Sequence, residues 1–200
     1  MKNFYKNEES GRSMIEMLGV LAIIGVLSIG GISGYSKAMG KYRINKTLDQ
    51  ISMLVMNIRS MYSANVNYKG LEPNIALQMG IIPTDMLLPG DTASKASKIY
   101  NVYQGEIGLE ATGDNNQQFM VSYAGLPRDA CVTIATADWG SQAGSGLLKL
   151  KIGKSGAGKT VSGSTGTEKK VDELPLSLVD ATILCANDKD DGNTVVWTYY

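Results

Sequence analysis

The chain contains no histidine, and its 200 residues include only two cysteines, two tryptophans, two phenylalanines and five prolines. Histidine is the commonest general base near neutral pH and the commonest metal-binding side chain. Its absence removes Ser-His-Asp, Cys-His and His-zinc chemistry. Two cysteines without histidine do not make a zinc site. Charge of one sign is lacking too: 19 basic side chains stand against 19 acidic ones, and neither sign gathers into a block. The basic footprint demanded by nucleic acid or anionic lipid is therefore missing. The aromatics lack the interleaved cations of a base-stacking platform. Carboxylate pairs such as Glu72 with Asp85, or Asp172 with Glu173, have no context for acid–base work. These exclusions point to a chain that is not an enzyme and needs no cofactor.

What the sequence does have is apolar length. Residues 11–32 read GRSMIEMLGVLAIIGVLSIGGI. As a helix, residues 14–32 extend roughly 28 Å, about the hydrocarbon thickness of a bilayer. Glu16 is the one acidic residue of that run, and a carboxylate there opposes insertion by about 2.5–3.5 kcal/mol. Each leucine or isoleucine returns only a few tenths of a kcal/mol. Something must neutralise Glu16 wherever the segment comes to rest.

Further on, Ile44, Leu48, Ile51, Val55, Ile58 and Tyr62 recur at helical spacing, with Lys46, Asp49, Gln50, Asn57 and Arg59 off their face. The two patterns abut and predict one helix over residues 13–64, about 75 Å long. Its first half is apolar all round, and its second half is amphipathic and packed on a domain. Gly19, Gly25, Gly30, Gly31, Gly34 and Gly40 fall inside this helix, each costing nearly 1 kcal/mol relative to alanine. They favour close helix packing, with Gly30 and Gly34 as a G-x-x-x-G pair, and loosening or bending near residues 25–34.

The remaining 130 or so residues are enough for a globular core. Residues 67–98 read as a loop holding a short helix at 74–79, punctuated by Gly80, Pro83, Pro89 and Gly90. Strands are predicted at 99–103, 107–111 and 119–123, with GDNN at 113–116 as the turn between the last two. A helix is expected over 127–139 and another over 177–186. Residues 147–152 alternate apolar with lysine, the pattern of an edge or half-exposed strand. Residues 153–170 are rich in Gly, Ser, Thr and Lys and read as a mobile loop. A turn at DKDDGN then precedes a last strand at 194–199. Cys131 and Cys185 stand in the two helices. In an exported domain one disulfide is the economical reading, closing a loop of about 55 residues worth about 4 kcal/mol. Two unrelated buried thiols are the alternative.

Two motifs compete with this reading. Residues 153–160, GKSGAGKT, match G-x-x-x-x-G-K-[ST] through Gly153, Gly158, Lys159 and Thr160. A phosphate-binding loop must lead into a helix with an apolar stripe. Here VSGSTGTEKKVDELP follows, which has almost no apolar content, so the match is read as chance. Asp188, Asp190, Asp191 and Asn193 suggest a calcium loop. With Gly192 in the glycine position, however, the ligands would be Asn187 and Lys189, with Thr198 in place of the essential Glu. A turn is the better reading, and no metal is expected.

Gly11, Glu16 and the run between and beyond them resemble the N-terminus of a type IV prepilin. That resemblance implies a leader at 1–11, cleaved after Gly11 by a prepilin peptidase that also N-methylates the new first residue, Arg12. Glu16, five residues on, would pair with the free amine of a neighbour and set the register of a fibre. Arg12 departs from the family pattern, in which the first mature residue is apolar, and it puts a cation one turn before Glu16. The implied fold is an α+β pilin-like lollipop: a long N-terminal helix, membrane or fibre core over 12–34 and amphipathic over 35–65, packed on an antiparallel-sheet head at 66–200 with a C-terminal disulfide. Cys131 and Cys185 resemble the cysteines that delimit the D-region of such heads. The two helices carrying them resemble the IVb head more than the IVa one.

The implied function is a structural subunit of a surface fibre. Its partners would be other pilin subunits, the peptidase, and an inner-membrane platform with its ATPase. Its location would be the inner membrane with a periplasmic head, then the extracellular pilus. A minor pilin or secretion pseudopilin would share this N-terminus. An ordinary secretory signal, cut near Ser33, or a plain anchor on an unrelated protein are the rivals from other classes.

Overall fold

The computed structural model describes residues 9–90, 92, 98–140 and 145–200, with the backbone alone for 9–13. Residues 1–8 of the expected leader, and the side chain of Arg12, lie outside the described part. The chain divides into two compact units, Met1–Tyr42 and Arg43–Tyr200.

Helix α1 spans Glu9–Tyr62. It already includes Glu9, four residues before the expected start, and runs without interruption through residues 25–34. The loosening expected there is not a feature of the single chain. Among its described residues, the first unit is helix whose side chains stay in solvent to residue 38.

In the second unit, α1 supplies one wall of the core. Ile51, Leu54, Val55, Ile58 and Tyr62 are buried, and Ile44 and Leu48 pack against them half-covered. Two polar residues join this wall. Thr47 is buried with its hydroxyl donating to the Arg43 carbonyl at 2.9 Å. Gln50, expected on the wet face, is also buried, and its Nε2 donates to Asp85 Oδ2 at 3.3 Å. That bond, with the ion pair of Lys46 and Asp85, ties the short 3₁₀ turn Thr84–Met86 to the helix.

Opposite lies a six-stranded antiparallel sheet: β1 Ile99–Tyr100, β2 Glu106–Thr112, β3 Gln118–Leu126, β4 Leu147–Gly156, β5 Thr160–Lys170 and β6 Asn193–Tyr199. The order is β1-β2-β3-β6-β4-β5. Its register lines up apolar rows across four strands, Ile107–Tyr123–Val195–Ile152, Leu109–Val121–Trp197–Leu150 and Ala111–Phe119–Tyr199–Leu147. Period-two alternation puts all of these on the face that meets α1. Helices α2 (Pro73–Gln78), α3 (Arg128–Thr136) and α4 (Leu178–Leu184) complete the unit. Trp139 sits edge-on to Trp197 with ring centroids 5.1 Å apart.

One open alternative is resolved and two expectations need correcting. β4 is the half-exposed strand of the two alternatives and not an edge, because it lies between β6 and β5. The stretch 153–170 is not a loop, since it completes β4 and forms the whole of β5. Val161 is the one apolar residue of β5, whose positions 165–168 are exposed on both faces. Its strand state comes from pairing with β4 and, at the turn, with β2. The sheet curls so that the Glu106 amide donates to the Lys159 carbonyl at 2.9 Å and the Val161 amide donates to Glu106 Oε2 at 3.0 Å. Finally, the strand expected over 99–103 stops at Tyr100, because Gln104 adopts a φ of 60° and the chain turns back on Asn101.

Candidate assembly surface

Between residues 14 and 32 every side chain is exposed. Twelve of them are large and apolar: Met, Ile, Leu and Val at 51–74 % exposure. This is the one helix among the described residues long and apolar enough to cross a membrane. Glu16 shares a face with Val20, at i+4, and lies beside Met17 and Leu21, so its carboxylate is framed by apolar side chains. On the membrane-insertion scale the ten isoleucine, leucine and valine side chains among them return about 3–6 kcal/mol together, against about 2.5–3.5 kcal/mol for one carboxylate in the same medium. A Cβ added at Gly19, Gly25, Gly30, Gly31, Gly34 or Gly40 meets nothing within 4 Å. Nothing inside the single chain therefore calls for these glycines.

Gly11 and Arg12 lie within α1, whose backbone is described from Glu9.

Cys131 of α3 and Cys185, which caps α4, form a disulfide with Cα atoms 5.8 Å apart, and both residues are fully buried. Ser177 starts α4 by accepting from the Asp180 amide at 3.1 Å. Only Ala181 of α4 is buried, whereas Leu178, Val179 and Ile183 are each about two-thirds exposed. The bridge, the buried Ala181 and the half-covered Leu184 tie this helix to the core.

The structure scatters the rival motifs. Gly153 is in β4, Gly158 in the turn and Thr160 in β5, so a strand follows where a phosphate-binding loop needs a helix. The glycines have local reasons. A Cβ on Gly153 would collide with the Thr165 carbonyl, and Gly158 adopts a φ of +69°. Lys159 donates from Nζ to the Tyr103 carbonyl at 3.3 Å. Of the acidic turn, Asp188 faces Arg128 at 3.3 Å and Asp191 Oδ1 accepts from the Gly158 amide at 2.7 Å. Asn193 is buried and donates to the carbonyls of Leu126 and Asn187 at 3.2 and 3.0 Å. It is a structural clamp, a role that a sequence search for metal ligands does not detect.

A long N-terminal helix, an antiparallel curled sheet and a disulfide near the C-terminus together define the type IV pilin fold. The head resembles the crystal structure of a type IVb pilin from Salmonella typhi, with a TM-score of 0.51 and 23 % identity over 76 % of this chain and 96 % of that one. TcpA, a type IV pilin from the Vibrio cholerae El Tor biotype, aligns over 80 % of this chain and 99 % of its own, with a TM-score of 0.45 and 15 % identity. No curated protein matches the chain. Residues 41–200 match the model of the PilS N-terminal family, and the chain belongs to that family.

Proposed function

We propose that this chain is a subunit that polymerises into a type IV pilus through residues 14–32. The observation that supports it is the exposure of twelve large apolar side chains on a chain whose second unit already has a complete core. A bilayer covers them before assembly, and the same segments of neighbouring subunits cover them afterwards. Cleavage between Gly11 and Arg12 by a prepilin peptidase frees an amine at Arg12, the residue that is then N-methylated. That amine pairs with Glu16 of the adjoining subunit in surroundings of low dielectric.

Cohesion and register separate here by magnitude. Apolar burial supplies cohesion and is nearly indifferent to axial sliding. A buried carboxylate without a partner is costly, so the one alignment that pairs Glu16 is selected. Glycines with no role in the single chain leave room for helices to approach closely. The inner-membrane platform and its ATPase supply the work of extrusion. The head is carried through the periplasm to the outside, where the fibre acts.

Polymerisation of a Glu16→Ala subunit tests the pairing. The variant is expected to reach the membrane and be cleaved, yet to yield few or no sheared fibres. Fibres at wild-type yield sink the pairing mechanism.

A further inference from the structure

One cavity in the second unit, about 720 Å³, is lined by Arg43, Arg128, Lys159 and Lys189, with Asp188 and Asp190. Each cation comes from a different part of the fold: α1, α3, the β4–β5 turn and the segment between α4 and β6. Four cations among thirteen lining residues contrast with 19 in the 200 residues of the chain. Arg128 is engaged by Asp188, and Asp191, three residues on, is turned away to the Gly158 amide. Arg43, Lys159 and Lys189 then remain against Asp190, and none of these three cations forms an ion pair among the described residues. Asp129 acts electrostatically on the neighbouring Tyr103, as does Arg43 with the opposite sign.

The backbone around this cavity is unusual. Gln104 and Lys159 both line it with φ of 60°, where a residue bearing a Cβ is seldom found. The other two non-glycine cases among the described residues are Asn115 and Asn116 in a turn, and asparagine tolerates that region. Gly158 and Lys159, consecutive at positive φ, make the tight turn of the β4–β5 hairpin, and that turn sets the conformation of Lys159. Internal hydrogen bonds hold both loops: Gln104 N–H donates to the Asn101 carbonyl at 2.9 Å, and Lys159 Nζ to the Tyr103 carbonyl at 3.3 Å. The lysine of the chance nucleotide motif is thus brought beside two further cations by a different route.

We infer that this cavity binds a phosphate group, either free or carried at the end of a larger molecule. A tetrahedral oxyanion offers separate oxygens to three cations approaching from different elements, whereas a carboxylate offers two. The inference is independent of assembly through residues 14–32.

Full-length protein in detergent micelles is titrated at low salt with inorganic phosphate and, separately, with tripolyphosphate, following the amide resonances of Gln104, Gly125 and Gly192. Saturable shifts confined to these loops are expected. Loss of Arg43 and Lys189 (Arg43→Gln with Lys189→Gln) should weaken binding about tenfold or more. Both side chains are free of internal bonds in the described structure, so the fold survives. Lys159→Gln should weaken binding as well, and Lys151→Gln, on the outer face of the sheet, should leave it unchanged. Tighter binding of tripolyphosphate than of phosphate assigns a group carried on a chain, and equal binding assigns the free ion. Absence of saturation with both probes overturns the site. So does equal weakening by Lys151→Gln, which would mark general charge attraction.

Discussion

Reduction of the Cys131–Cys185 disulfide should cost the head about 4 kcal/mol. The bridge joins residues 54 apart, and closing a loop of that length removes roughly 14 cal/mol/K of entropy from the unfolded chain. Packing adds to the effect, because α4 has only Ala181 buried and Leu184 half-covered, with Leu176 and Cys185 holding its ends. Trp139 and Trp197 are the only tryptophans and lie against each other at the sheet, so fluorescence reports on this region directly. Urea unfolding of the full chain in micelles, with and without reductant, is the assay. For a denaturant slope of about 2 kcal/mol/M, the midpoint should fall by about 2 M. Limited proteolysis of the reduced protein should nick α4 before the sheet. Coincident oxidised and reduced curves would refute both the entropic arithmetic and the view of α4 as a helix held by its bridge.

Replacing Gly153 by alanine should destabilise the β4–β5 hairpin by about 1–3 kcal/mol, because the new methyl collides with the Thr165 carbonyl. Thermal unfolding checks this, and a neutral result would contradict the close pairing of Gly153 with Gly166. Asp85 gives a pH dependence. Burial pushes its carboxyl up, but hydrogen bonds from Lys46 and Gln50 and the charge of Lys46 outweigh burial and hold it below its ordinary value of 3.8. A depressed carboxyl contributes stability that is present above the unfolded value and lost as pH falls through the folded one. Asp85→Asn should therefore flatten the loss of stability below about pH 4, measured by unfolding at pH 3 and pH 6. An unchanged acid slope would remove Asp85 from the account.

Some of this architecture is written in local pattern. Ile51, Val55, Ile58 and Tyr62 mark the buried face of α1 because a helix repeats every 3.6 residues and water is on the other side. Leu54 and Thr47 extend that face beyond the stripe, and the burial of Gln50 is not legible locally because it depends on Asp85, 35 residues later. Cys131 lies within α3 as expected, whereas Cys185 is the residue that ends α4 and not one of its turns. β5 was illegible for a physical reason. Its residues bury almost nothing, so no alternation exists to be read, and its structure is dictated by β4 and by Glu106 across the sheet. The interior place of β4 was hidden likewise, since the strand that covers its outer side carries no apolar signal. The cavity of Arg43, Arg128, Lys159 and Lys189 could not be seen in sequence, because its cations are up to 146 positions apart (43 to 189).

The central claim is that residues 14–32 are kept and bury themselves against their counterparts in a fibre. Sequencing the N-terminus of the protein recovered from sheared surface fibres tests it most directly. The account predicts a start at Arg12, N-methylated, with residues 14–32 intact. A start near Ser33, or protein that retains Met1 and never leaves the membrane fraction, would contradict it.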